Sequence, residues 1–420
     1  MSAVDVLQYA KSAFEVGDYL RGERYYKIVL SALIRFCEKG EIDHALGCEL
    51  PIYRILVKQN ETEESAERYF STFRDHMCRL GKTQRDETVF SDGKKVGFVI
   101  QTLYQLGHVE CLYNLLRIRG PETIYVLGSY AQPVVDRFER IGCRVVRAID
   151  EMTEKSSIQK RLKWIRGRMA IEGVGVSVWV STASVASFAF GMGLARKQVL
   201  WSHRHHQYVP GGDAYICYGD GETKDYHGKQ WLCANTPLID WESVSSAQRG
   251  VKNNRFTFGT VAREEKMEDK KFLFSVCRIL QETDAKYEYC GKFDPPIVRN
   301  QFEVSRVADR CKYMGWVEPI PQIDRLHAYI ETHPVGGITS LMAAARGVPV
   351  VAMKSNHNPL THNGYPVSET YDEFVKDAIK IYRDVGYRQA RAEEGLKLIE
   401  TEKRKSVAGV KRFFSILESL

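Results

Sequence analysis

Apolar residues recur along this chain in two alternating patterns. Short apolar or alternating runs occur at Lys95–Ile100, Ile124–Leu127, Cys143–Ala148, Val174–Thr182, Gln198–Trp201 and Ala214–Tyr218. Runs of this length, rich in Val, Ile and aromatic residues, predict strands. Between them, apolar positions fall three and four apart, which predicts helices from His108 to Leu116, Pro133 to Ile141, residues 157–170, and Ala183 to Leu194. Strand and helix in alternation indicate a wound α/β domain with a largely parallel sheet. The pattern then restarts. Arg255–Thr260, Lys286–Cys290 and Lys312–Trp316 read as strands, with helices over Asp269–Gln281 and 297–310 and a helix or edge element over Asp324–Tyr329. Tyr329–Met353 completes this second series with a turn, a short helix, Arg346-Gly347 as a stop and the strand-like Val348–Met353. Two α/β domains joined near residue 250 would leave a cleft between them. The last helical stretch, Tyr371–Leu420, would pack on either one.

Residues 1–86 carry helical spacing without strand runs. The segment 13–33 resembles one tetratricopeptide-type hairpin, but no 34-residue repeat follows. A helical cap, an oligomerisation element and a peptide-binding surface all fit. The expected division is a helical, partly tetratricopeptide-like domain over 1–86, a Rossmann-like domain over 93–248, a second over 249–400, and a C-terminal helix over 401–420.

At 420 residues the chain exceeds one ordinary core. Its 44% hydrophobic and 27% charged content is that of a soluble globular protein. No signal-peptide pattern opens it, and no apolar stretch has the length of a membrane span. Ten cysteines lack paired metal spacing, and Cys111, Cys143, Cys217, Cys277 and Cys290, in apolar or sheet-like settings, read as small buried hydrophobes in a reducing cytoplasm. The formal charge of +7 is modest. Its densest basic run, Lys160–Arg168, is either the polar face of a surface helix or a patch for an anionic partner, and no nucleic-acid module accompanies it.

Candidate chemistry gathers at three places. Gly336 and Gly337 precede Ile338-Thr339-Ser340; the glycines let backbone approach a ligand, and helix-start N–H groups with two hydroxyls can hold a phosphate. The same residues also suit a simple turn and cap. His203, His205 and His206 follow a strand end, with Asp213 soon after. Adjacent loop histidines without acidic support fit ligand contact or acid–base work better than a metal. His108 opens a helix after the first strand, either as a base or as a helix-start residue.

In this order, Phe256–Thr260 with Lys266, Lys286–Gly291, Lys312–Val317, and Gly336–Ser340 followed by Ala345–Val351 resemble a GT-B glycosyltransferase. Among such enzymes the chain most resembles the O-GlcNAc transferase and HMW1C-like group, through Val96–Val99 leading to His108, Gly211–Ile216, and Phe258–Thr260 leading to Lys266. That resemblance implies a helical N-terminal region, two Rossmann-like domains facing a cleft, and a nucleotide sugar held mainly by the second domain. It implies transfer from a nucleoside diphosphate sugar, UDP-linked, to a protein or glycan acceptor, by an inverting, metal-independent route with no cofactor beyond that co-substrate. Carried over residue by residue, it puts Lys266 and Arg263 at the donor diphosphate and Gly336 and Thr339 at the helix start that binds it. Gly337, Ser340 and Asn356 join the donor side, and His108, His203 and Asp213 are the candidates for acid–base work. The chain departs from the family at Gly337 and Ile338, which stand where it has a histidine and a threonine, and at Met342, which replaces its acidic residue. A noncatalytic nucleotide-sugar-binding scaffold and a sugar-nucleotide epimerase are the competing readings. A cytoplasmic protein that oligomerises through its N-terminal helices is the expected setting.

Overall fold

A strand covered by helices on both faces has no solvent side, so it can be apolar throughout. The computed structural model shows such a strand over Val174–Val180, with all seven residues buried. The structure describes residues 30–31, 33–43, 45–46, 63–85, 90, 93–152, 156–180, 183–202, 207–219, 221–248, 250–333, 336–355, 360 and 364–420. The tetratricopeptide-like hairpin therefore lies almost entirely outside the described residues. Contacts divide the chain into one unit of residues 1–236 with 409–420 and a second of residues 237–408. This places 237–248 in the second unit, whereas the sequence pattern placed the junction at 248/249.

The first unit runs α1 (Glu63–Thr83), β1 (Lys95–Ile100), α2 (Gly107–Arg119), β2 (Thr123–Val126), α3 (Gln132–Arg140), β3 (Arg144–Arg147), α4 (Ala148–Glu151), α5 (Ile158–Glu172), β4 (Val174–Val180), α6 (Ala183–Met192), β5 (Lys197–Ser202), β6 (Ala214–Cys217), β7 (Thr223–Tyr226) and β8 (Lys229–Cys233). Its sheet has the order β3-β2-β1-β4-β5-β6-β8-β7. Only the β7–β8 pair is antiparallel. The first six strands follow the 3-2-1-4-5-6 order of a doubly wound fold. The β7–β8 hairpin was not expected, because Thr-Lys-Asp-Tyr in β7 has no apolar alternation. Its signal is His227-Gly228, which take φ of 51° and 68° in the two-residue turn.

Helix α1 packs closely on α6. A Cβ at Gly81 would run into the Phe188 carbonyl, and one at Gly191 into that of Cys78. Leu33 and Cys37, from a helical stretch at 33–38, share one core with Phe73, Met77 and Trp179. The described part of residues 1–86 thus buries its apolar face with the sheet rather than in a core of its own.

The second unit continues with α7 (Trp241–Ser246), β9 (Thr257–Val261), a 3₁₀ turn (Glu264–Lys266), α8 (Lys270–Gln281), β10 (Lys286–Cys290), α9 (Pro296–Val304), β11 (Cys311–Tyr313), α10 (Pro319–Arg325), β12 (Ala328–Ile330), α11 (Ile338–Ala345), β13 (Val350–Val351), α12 (Tyr371–Arg383) and α13 (Val385–Glu418). Its sheet, β11-β10-β9-β12-β13, is wholly parallel. Helix α13 leaves this unit at Ala408, and its last turns belong to the first unit. There Phe413 packs on Trp201 with ring centroids 4.8 Å apart, and Arg412 Nε donates to the Cys233 carbonyl at 2.7 Å. Every described cysteine except Cys311 is buried. Among the described residues no helix is long and apolar enough to cross a membrane.

One buried ion pair organises the second unit. Arg346, at the end of α11, donates Nε to Asp324 Oδ1 at 2.8 Å and Nη2 to Oδ2 at 2.6 Å, with side chains 0% and 2% exposed. Arg346 Nη1 also donates to the Val244 and Ala247 carbonyls at 2.9 and 2.8 Å, and Asp324 accepts the Gly250 N–H at 2.9 Å. The pair thereby fixes the stretch after α7 against α10 and α11. Removing one partner strands a buried charge, which costs about 3–5 kcal/mol. Arg346→Ala is expected to lower the unfolding free energy of the second unit by that order, read as a lower urea midpoint. An unchanged midpoint would contradict the assignment.

Candidate functional site

Parallel strands place all their carboxyl ends on one edge, where each following helix begins with unsatisfied N–H groups. In the second unit the loops on that edge are joined to one another. After β9, the Lys266 N–H donates to the Arg263 carbonyl at 3.0 Å, closing the 3₁₀ turn. Glu264 accepts the Lys292 N–H at 3.0 Å. Gly291 N–H donates to the Gly315 carbonyl at 3.2 Å, while the Tyr313 hydroxyl donates to the Gly291 carbonyl at 2.8 Å. Phe293 and Trp316, on these loops, are 53% and 68% exposed.

Helix α11 starts on the same edge. Its N-cap is Gly337, which has no side-chain cap, whereas α8 is capped by Asp269 and α12 by a Thr370–Glu373 capping box. Lys266 Nζ reaches this start and donates to the Gly336 carbonyl at 2.7 Å. Glu331, just past the end of β12 and 1% exposed, accepts the Gly337 N–H. The structure therefore gathers Lys266, Gly336, Gly337, Thr339 and Ser340, with Arg263 at the base of the turn. The two hydroxyls serve the fold. Thr339 Oγ1 donates to the Val261 carbonyl at 2.9 Å and lies 2.7 Å from the Tyr329 hydroxyl, and Ser340 Oγ donates to the Gly337 carbonyl at 2.8 Å. What α11 offers a ligand is main-chain N–H groups rather than these side chains.

A second network stands beside the glycines. His333 Nδ1 lies 2.8 Å from the Tyr371 hydroxyl, which also donates to Asp269 Oδ1 at 3.3 Å. Burial lowers the His333 pKa, against the opposing charge of Asp269 and a bond to the Lys354 main chain. On the far side of the sheet His327 Nδ1 accepts the Thr257 N–H at 3.2 Å, and burial, then Lys252 and Arg388, lowers its pKa as well.

In the first unit, His108 sits in the first turn of α2, on the carboxyl-end edge of the sheet. Asp213 does not join it. It directly precedes β6, accepts the Gln198 N–H at 2.8 Å and faces Lys197 Nζ at 3.8 Å, which puts it at the amino-end edge in a structural pairing of β5 with β6. The parallel strands expected at Lys95–Ile100 and Ala214–Tyr218 already put His108 after a strand and Asp213 before one. His203 and Asn356 lie outside the described residues. Glu331 went unremarked in the sequence pattern, although an acidic residue closing a buried strand was a usable signal.

No protein-family model matches the sequence, and no curated protein matches it. Solved structures do. A mutant O-GlcNAc transferase of Thermobaculum terrenum superposes with a TM-score of 0.62 over 99% of this chain and 97% of that one, at 14% identity. The chain has the GT-B fold. HepE of Anabaena, solved with UDP and glucose, matches at a TM-score of 0.57 over 78% of this chain and all of that one, at 12% identity. A Rickettsia africae glycosyltransferase matches at 0.53 over 77% and 98%, at 12% identity. In this GT-B chain the sheet-edge cluster around Lys266 is thus set in one of two Rossmann-like units.

The imidazoles give a pH signature. Folding favours the neutral forms of His327 and His333, whose ordinary value is 6.5. Their stabilisation is complete above 6.5 and is lost as pH falls from there through the lower folded values, because the unfolded chain then binds more protons. The melting temperature is expected to drop between about pH 7 and pH 5. His327→Asn, which keeps an acceptor for Thr257, should flatten part of that slope; an identical slope would rule His327 out.

Proposed function

We propose that this protein transfers a sugar from a nucleoside diphosphate sugar, UDP-linked, to a protein or glycan acceptor, with inversion and without a bound metal. The observation that carries the reading is the Lys266 ammonium held 2.7 Å from the Gly336 carbonyl at the uncapped start of α11. When the anomeric carbon–oxygen bond breaks, its electrons pass to the diphosphate. A fixed ammonium and main-chain N–H groups stabilise that growing charge without reorganising. Arg263 adds a second cation on the same turn. These groups supply the positive charge that a metal would otherwise provide. Phe293 and Trp316 offer exposed aromatic faces for a nucleobase to stack on, on loops tied to the Lys266 turn through Gly291 and Glu264. HepE, with the same fold, is a protein solved with UDP-glucose.

On the acceptor side, the attacking hydroxyl or amide gives its proton to a base as its bond to the anomeric carbon forms. His108 is our choice, since its first-turn position on the carboxyl-end edge is where a wound sheet presents functional side chains. Asp213 has its carboxylate engaged at the other edge and is not carried into the mechanism.

The test is incubation with a panel of nucleotide sugars and cell extract, with products read by mass spectrometry. Transfer of one sugar to extract components is expected. A new nucleotide sugar formed without acceptor would identify an epimerase, and consumption of no donor a binding scaffold. Lys266→Ala should slow transfer by about 10² or more, the loss typical of a missing transition-state donor. Turnover unchanged in that variant would remove Lys266 from the site.

A further inference from the structure

The carbonyl of Gly336 and the N–H of Gly337 are the two poles of a single peptide unit. Lys266 Nζ donates to the first at 2.7 Å, and Glu331 Oε1 accepts from the second. We propose that Glu331 is a positioning residue for Lys266, acting through this peptide. The inference rests on the donor-site reading above.

Three observations support it. Glu331 is 1% exposed, and a carboxylate so buried is costly unless opposite charge answers it. The peptide answers it at one oxygen: its N–H meets Oε1 while its own oxygen meets the ammonium, so the two charges are linked in line through one dipole. Second, a side chain at either glycine would disturb the clamp. A Cβ at Gly336 would stand 2.5 Å from Glu331 Oε1, and one at Gly337 would stand 3.1 Å from Lys266 Nζ. Gly337 has φ −154° and ψ 176°, an extended conformation open to any residue, so a side chain there would displace the ammonium rather than strain the backbone. Third, the oriented peptide is the N-cap of α11. Its orientation sets where the ammonium stands relative to the N–H groups of Ile338, Thr339 and Ser340 that begin the helix. An isolated buried anion beside an anion-binding site would only repel the ligand. Placed behind this peptide, it holds the cation in position.

Two readouts test this. The first needs no ligand: the rate at which an amine-reactive ester modifies Lys266, relative to exposed Lys312, in wild type, Glu331→Gln and Glu331→Ala. Modification of Lys266 is expected to be several-fold faster in Glu331→Ala and intermediate in Glu331→Gln, which retains an acceptor for Gly337 N–H. The second is UDP affinity by calorimetry alongside the melting temperature. Affinity should fall about tenfold in Glu331→Ala, near 1.4 kcal/mol, and less in Glu331→Gln. Gly337→Ala should weaken binding with little change in melting. A rise in UDP affinity on removing the carboxylate would show that it merely repels the ligand and would overturn the proposal. An unchanged Lys266 modification ratio, or a fall in melting temperature with affinity intact, would overturn it too. If wild type binds no UDP, the donor-site reading fails separately, and the modification ratios still decide whether Glu331 holds Lys266. Should Glu331→Ala not fold, Glu331→Gln carries both measurements.

Discussion

Every strand of the second unit runs in one direction, and that single constraint decides where chemistry can occur. It puts the ends of β9, β10, β11, β12 and β13 on one edge, so residues far apart in sequence meet there. Lys266 follows β9, Glu331 follows β12, and Gly336 and Gly337 lead from β12 into α11. Helix dipoles start on the same edge, which makes it the side of the sheet suited to anions. The constraint applies equally in the first unit. His108 follows the end of β1, whereas Asp213 precedes β6 and is spent on joining two strands.

An anion site built from main-chain N–H groups works only if the helix that carries them cannot shift. Helix α11 is held at both ends. Arg346 and Asp324 bind its last turn to α10 and to the carbonyls after α7. At its first turn Thr339 is bound to the end of β9, and Lys266 and Glu331 grip the peptide ahead of it. Behind this, the Tyr287 hydroxyl donates to Thr260, which donates to the Ile330 carbonyl, each at 2.7 Å, so β10, β9 and β12 are cross-linked beneath the site by buried polar groups. Burial raises the Tyr287 pKa, keeping the hydroxyl a neutral donor. The buried ion pair at one end and the held peptide at the other specify one position for α11.

Much of this was legible in the residues. Val174–Val180 is too uniformly apolar to be anything but a covered strand, and helix spacing between such runs requires the wound architecture. The Gly336–Ser340 stretch stood out because its residue types suit a phosphate, and Lys266 through the resemblance to GT-B enzymes. Their division of labour did not. Thr339 and Ser340 look like phosphate ligands in sequence, yet their hydroxyls are bound to the carbonyls of Val261 and Gly337. Whether a hydroxyl faces a ligand or its own backbone depends on local geometry that spacing does not encode. The β7–β8 hairpin was equally hidden, because its strands at the sheet margin need no apolar alternation.

By itself the sequence determined most of the alternating strands and helices and the two wound units, since burial patterns and turn chemistry act over a few residues. Tertiary structure alone decided that residues 33–38 and α1 share the first unit's core, and that Glu331 and Lys266 hold opposite poles of one peptide. These are relations between segments dozens of residues apart. They are set by the direction of strands and the closeness of helix packing, and no local pattern records either.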